Sequence, residues 1–82
     1  MKDKYNREAA ILKKRRLELG MTQTDVTLNA GIQLQQYQRF EHGLRPVSNC
    51  SMVLGLRICA ILEIDPYNLI FENSSDWIKN IR

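Results

Sequence analysis

The 82-residue sequence predicts an all-α fold of five helices, and three observations carry that prediction. Apolar residues recur at spacings of three and four, Gly, Pro and Asn interrupt the chain at short intervals, and no stretch alternates apolar with polar residues as a strand would. The first helix is expected over 8–19, where Ala9, Leu12 and Leu19 repeat among basic residues and Gly20 supplies the left-handed cap. Thr22 offers an N-cap hydroxyl to a second helix, and Asp25 lies three positions on, near the positive end of its dipole. Val26 and Ala30 form its inward pair, and Gly31 ends it after about two turns. A helix that short forms only when neighbours cover its apolar side.

The third helix follows over 33–41. At about 100° per residue Tyr37 and Phe40 share one side, whereas Leu34, Gln35, Gln38 and Arg39 spread over an arc of about 140° on the other. Residues 44–51 contain Pro46, two serines and Asn49 and read as a loop. The fourth helix, 52–62, carries Arg57 as its one charged residue, which makes it a central core element or part of an interface. Asp65-Pro66 is a strong helix start, and the fifth helix is short, 66–71. In the tail, 72–82, Trp77, Ile78 and Ile81 suggest an amphipathic turn that packs on this subunit or a partner. The chain divides into an N-terminal arm, 1–7, a domain, 8–71, and this C-terminal tail.

With 44% hydrophobic and 26% charged residues, the chain is apolar enough to fold as one domain. A core this small is marginal, and pairing with a second subunit is the expected remedy. No apolar run approaches the roughly 18 to 20 residues of a membrane span, and the charged N-terminus is unlike a signal peptide, so the expected location is the cytoplasm. Cys50 and Cys59 lack redox or zinc spacing and are expected as reduced thiols, Cys59 acting as a small buried hydrophobe. The one histidine, His42, has no ligand-spaced partner, and phosphate-cradling glycine loops are absent. The reading is therefore not an enzyme, with no metal and no cofactor.

Charge is uneven. Residues 1–46 carry nine Lys or Arg against five acids, and residues 47–82 carry three against four, so the net +3 sits at the front of the chain. That end is the candidate nucleic-acid face, although a run such as Lys13-Lys14-Arg15-Arg16 can equally be the solvated side of a helix.

Two short helices joined by a Gly-containing turn, with further helices after a loop, form the plan of a helix-turn-helix domain. Here the residues carry more than the plan. In 12–43, Arg16, Gly20, Thr22-Gln23, Val26, Gly31, Tyr37 and Phe40-Glu41-x-Gly43 occur in an order that resembles the phage-repressor and Cro-like helix-turn-helix family. With the fourth helix, the resemblance spans about three quarters of the chain. It implies a five-helix, lambda-repressor-like fold in which Leu34 to Glu41 is the recognition helix. It further implies an ion pair between Arg16 and Glu41 that locks the first helix to the end of the third, neither residue touching DNA. Gln23 matches a position that meets the DNA backbone and braces the recognition helix; Gln33, Leu34, Gln35 and Arg39 match positions facing the major groove.

The chemistry agrees with that assignment. A glutamine amide suits the N7 and N6 edge of adenine, a guanidinium suits O6 and N7 of guanine, and Leu34 suits a thymine methyl. Gln38 shares this outer face, and Arg45, Lys13 and Lys14 are candidates for phosphate contacts, which position without specifying. Three departures stand out: Thr27 replaces the family's small alanine, Gln33 replaces the usual Ser or Thr cap, and the 44–51 connection is about three residues longer than typical. The expected function is sequence-specific binding of double-stranded DNA as a repressor-like transcriptional regulator, working as a homodimer through the fourth and fifth helices and the tail. The competing reading is a protein-interaction module or antitoxin-like partner-binding protein on the same fold.

Overall fold

A computed structural model describes residues 2–70, and its regular elements are all helical. The helices are α1 (Lys2–Glu18), α2 (Gln23–Ala30), α3 (Leu34–Glu41), α4 (Met52–Ile61) and α5 (Pro66–Ile70), with a 3₁₀ turn at Val47–Asn49. Helix α1 lies against α3 and α5, α2 bridges α3 and α4, and α4 meets α5. The core at their junction contains Leu12, Val26, Tyr37, Phe40, Ile58 and Leu62, each with at most 1% of its surface exposed.

The turns behave as their residues dictate. Thr22 caps α2 through a reciprocal box: its hydroxyl accepts from the Asp25 amide at 3.0 Å, and the Asp25 carboxylate accepts from the Thr22 amide at 2.9 Å. Gly31 ends the helix at φ +70°, a conformation that costs a side-chain-bearing residue about 1 to 2 kcal/mol. Gln33 caps α3 with backbone alone, without the side-chain bond that Ser or Thr would supply. Thr27 is 4% exposed and turns its hydroxyl onto the Thr24 carbonyl at 2.8 Å, so the extra polar atom is satisfied inside its own helix.

Two features differ from the sequence expectation. Residues 2–7, expected as an arm, continue α1, which begins at Lys2 rather than at residue 8. No breaker stands between them and Glu8, but they lack an apolar repeat, so periodicity does not mark them. Arg7 ties this extension to the C-terminal end of α5, donating to the carbonyls of Leu69 (2.7 Å) and Asn68 (2.6 Å). The second feature is the connection after α3, which is built rather than loose. The Glu8 carboxylate, 1% exposed, accepts hydrogen bonds from the Val47 amide (2.8 Å), the Ser48 amide (3.4 Å) and the Ser48 hydroxyl (3.0 Å). Ser51 then caps α4 by accepting from the Leu54 amide at 3.1 Å.

Helix α5 runs over Pro66–Ile70, and Phe71 and the tail with Trp77, Ile78 and Ile81 lie outside the described residues. Both cysteines are free thiols. Burial pushes the Cys59 thiol up to about 11, which suits a small core hydrophobe. No described helix is long and apolar enough to cross a membrane.

Removing the Glu8 acceptor strands buried donors at the 3₁₀ turn. Glu8→Ala should lower stability by about 2 to 3 kcal/mol in urea titration, and Glu8→Gln, which keeps an amide oxygen, should recover part of it. An unchanged midpoint for Glu8→Ala would show that the turn holds without this clamp.

Candidate nucleic-acid interface

The buried face of α3 is set by Tyr37, Phe40 and Glu41, each at or below 7% exposure. Rotation about the helix therefore leaves Gln35 and Arg39 exposed on the opposite side, with Leu34 exposed and Gln38 half-buried at one flank. Gln33, just before the helix, is exposed as well.

Glu41 anchors the inner face. Arg16 reaches it from α1 with a two-pronged contact, Nε to Oε2 at 2.6 Å and Nη2 to Oε1 at 3.0 Å, and uses its remaining nitrogen on the Met21 carbonyl at 2.9 Å. Both side chains are buried, 10% and 2% exposed. Desolvation by burial works against the ionised Glu41 carboxylate, but hydrogen bonds led by that from Arg16 outweigh it and hold the carboxyl below the usual range. Arg16 is raised above its ordinary value, chiefly by the same hydrogen bond. The Tyr37 hydroxyl, enclosed beside the pair, makes no hydrogen bond of acceptable geometry. Burial first, and then the neighbouring carboxylate, push its phenol up.

The network extends toward the surface. The Gln23 amide donates Nε2–H to Glu41 Oε1 at 3.1 Å, and its Oε1 accepts from Gln38 Nε2 at 3.1 Å. Gln23 is thus held from both sides at the first turn of α2. The backbone amides of Gln23 and Thr24 occupy the first two positions of that helix, where no intrahelical acceptor exists. Leu17, Gln23, Thr24 and Leu34 border an open depression beside this end of the helix.

The basic residues sort into two groups. Arg15 donates to the Leu62 carbonyl at 3.0 Å and pairs with Glu18 and Glu63; Arg16 holds Glu41; Arg57 donates to the Ala30 carbonyl at the end of α2, at 3.1 Å. These cations serve the fold. Lys13, Lys14, Arg39 and Arg45 are exposed and make no hydrogen bond or ion pair with other described residues. Of the run Lys13-Lys14-Arg15-Arg16, half is therefore structural and half is solvated. About 100° per residue places Lys13 about 60° from Arg16 around α1, on the α3 side, and Lys14 about 160° away.

Helical rotation and the family resemblance together place the outer face of α3 and the Arg16–Glu41 pair. The resemblance also gives Gln23 as a brace of this helix, but not Gln38 as its partner, because two polar residues 15 positions apart carry no periodic signal. The α2 amides escape them too, although Thr22 as N-cap marks where those amides begin. Among the described residues no cluster of three or more His, Cys, Asp or Glu could hold a metal. Comparison with family models, curated proteins and solved structures finds no match to this chain.

Glu41 should make stability depend on pH in a defined sense. Its folded pKa is depressed, so its contribution is fully present above the ordinary carboxylate value near 4.3 and is lost as pH falls through the lower folded value. Glu41→Gln should cost about 3 to 5 kcal/mol at pH 7, because it leaves Arg16 buried and unpaired, and should flatten part of the acid limb seen in wild-type urea titrations between pH 5 and 2. Parallel acid limbs in the two proteins would show that Glu41 is not the group titrating.

Proposed function

We propose that this chain binds double-stranded DNA sequence-specifically through a lambda-repressor-like helix-turn-helix, as a transcriptional regulator of repressor type. The observation that carries the reading is the division of α3: Glu41 is locked inward by Arg16, while Gln35 and Arg39 stand exposed on the opposite face with no acid among them. A helix fixed at its end and unencumbered on its outer side can enter a major groove and offer amide and guanidinium groups to base edges. Gln33 and Leu34 extend that surface at its N-terminal end, and Gln38 borders it. Lys13, Arg45 and the amides at the start of α2 supply phosphate contacts around it, and Lys14, turned from Arg16, contributes less.

Pairing of two copies completes the reading. Met52, Val53 and Leu56 of α4 are 78, 65 and 50% exposed, and beside them a groove of about 380 Å³ is lined by residues including Cys59, Pro66, Leu69 and Ile70. An apolar surface of this kind favours burial against a second copy, which would present two recognition helices to half-sites about one helical turn apart. The same surface is what a protein-interaction role would use, so DNA selection separates the two readings.

Selection from a random duplex library should yield an inverted repeat, bound at least about a thousandfold more tightly than scrambled DNA, with affinity falling steeply as salt rises. A protein that selects no motif and binds weakly in a purely salt-driven way would sink the proposal in favour of protein partners at α4. Within the selected site, Arg39→Ala should lose base preference at one pair by about 1 to 3 kcal/mol. Lys13→Ala should weaken every duplex alike and lower the salt slope by about one unit. Equal losses on specific and scrambled DNA for both variants would refute this division of roles.

A further inference from the structure

We propose that the groove between the 3₁₀ turn, α4 and α5 is the seat of the chain's own C-terminal segment, residues 71–82, with Trp77 and Ile78 filling it within the same subunit. The amino-acid sequence leaves open whether that segment packs on its own subunit or on a partner, and the position of the groove favours the first. The proposal stands independently of the DNA-binding reading.

The groove holds about 380 Å³ and is walled by Val47 and Cys50 at the 3₁₀ turn, Leu56 and Cys59 of α4, and Leu69 and Ile70 of α5. Cys59 and Leu69 are 3 and 0% exposed and belong to the core, so the groove opens onto the apolar interior. Gly55 lies in its floor. The φ of Gly55 is not positive, so the backbone does not call for glycine there, and in mid-helix glycine is less favourable than alanine. A Cβ at this position would stand 3.5 Å from Cys50 Sγ and 3.7 Å from Val47 Cγ1, where the turn meets the helix. The missing side chain keeps that space open.

The occupant follows from where the chain leaves. Ile70, at which the described residues end, is itself part of the wall, so residues 71–82 begin at the rim. Asn73, Ser74 and Ser75 are residue types that favour turns. After them come Trp77, Ile78 and Ile81, a spacing that gathers three apolar side chains on one face of a helical turn and leaves Asp76 and Lys79 opposite. Between Ile70 and Trp77 the chain can extend by up to about 3.3 to 3.6 Å per residue, well beyond the roughly 8 to 10 Å between two packed helices, so it can reverse and return to the groove it left. A segment tethered this closely meets its own groove at an effective concentration on the order of millimolar, which the tail of a second copy does not match in dilute solution. Val53, 65% exposed on α4, is not part of the wall and stays available for pairing.

Trp77 is the single tryptophan of the chain, so its fluorescence reports directly on its surroundings. In the native full-length protein its emission should lie at shorter wavelength than in urea, and acrylamide should quench it at least about threefold less than in the unfolded chain, both unchanged on dilution to submicromolar protein. Leu56→Glu brings a charge into the groove from a position 50% exposed, and should return emission and quenching to the unfolded values while helical circular dichroism and a cooperative melt persist. Conversely, Trp77→Ser should uncover Cys50 and speed its alkylation by iodoacetamide at least about threefold, a readout that does not depend on Leu56→Glu folding. Trp77 quenched as fully in the native protein as in urea would overturn the proposal. Protection that vanishes on dilution would seat the tail on a second copy and overturn it as well. So would protection that survives Leu56→Glu in a folded protein, or Cys50 alkylation at one rate with and without Trp77, since Trp77 would then pack elsewhere. None of these measurements involves DNA, and a failure of the DNA-binding reading is seen separately, in library selection.

Discussion

The contact between Arg16 and Glu41 joins the two ends of the structure that most need to agree. Arg16 sits in the last turn of α1, and Glu41 closes α3, 25 residues later in the chain. The guanidinium spends three nitrogens on the site, two on the carboxylate and one on the Met21 carbonyl in the turn leading to α2. Three helices thus take their mutual orientation from one buried charge pair. Desolvating two ions is expensive, and such a pair adds little net stability over apolar residues of the same size. What it supplies is geometry: a planar, two-pronged contact tolerates few orientations, which fixes how α3 presents its outer surface.

The polar atoms around the pair divide into those that complete it and those it leaves outside. Gln23 and Gln38 extend it toward solvent, whereas Tyr37 places a buried aromatic ring and its hydroxyl beside the pair. Arg57 plays a comparable part at the other end of α2, where it satisfies the Ala30 carbonyl that helix termination exposes. Both ends of this eight-residue helix are held: Thr22 and Asp25 cap the front, where the Gln23 side chain is also tied to Glu41, and Arg57 takes the Ala30 carbonyl at the back.

Much of this arrangement is legible in the amino-acid sequence. The bounds of α2 and α3 follow from Thr22, Gly31 and the aromatic pair Tyr37 and Phe40, whose signals lie within a few residues of the elements they define. The elements that escape such a reading are held by partners distant in sequence. The extension of α1 has no periodic pattern and depends on Arg7 reaching α5, and the 3₁₀ turn depends on a carboxylate 39 residues upstream. At the candidate interface, composition and helical rotation expose Gln35 and Arg39 directly, because exposure is a property of one helix. The direction of the Gln23–Gln38 hydrogen bond is not readable in this way, since it is a property of two helices and a charge on a third element.

The hydrogen bonds of α1 span long stretches of chain: 25 residues to Glu41, 39 to Val47, 47 to Leu62 and 62 to Leu69. On a ribosome, α1 emerges first among these helices and must wait, its buried Glu8 and Arg16 still in water, until the segments that receive them have cleared the exit tunnel. Native packing is thus postponed until α5 is out, and every nascent chain passes through a stage in which Leu12 and the apolar face of α4 lack their eventual cover. The contacts that make the finished domain cohere thus also tie the completion of its packing to the emergence of α5.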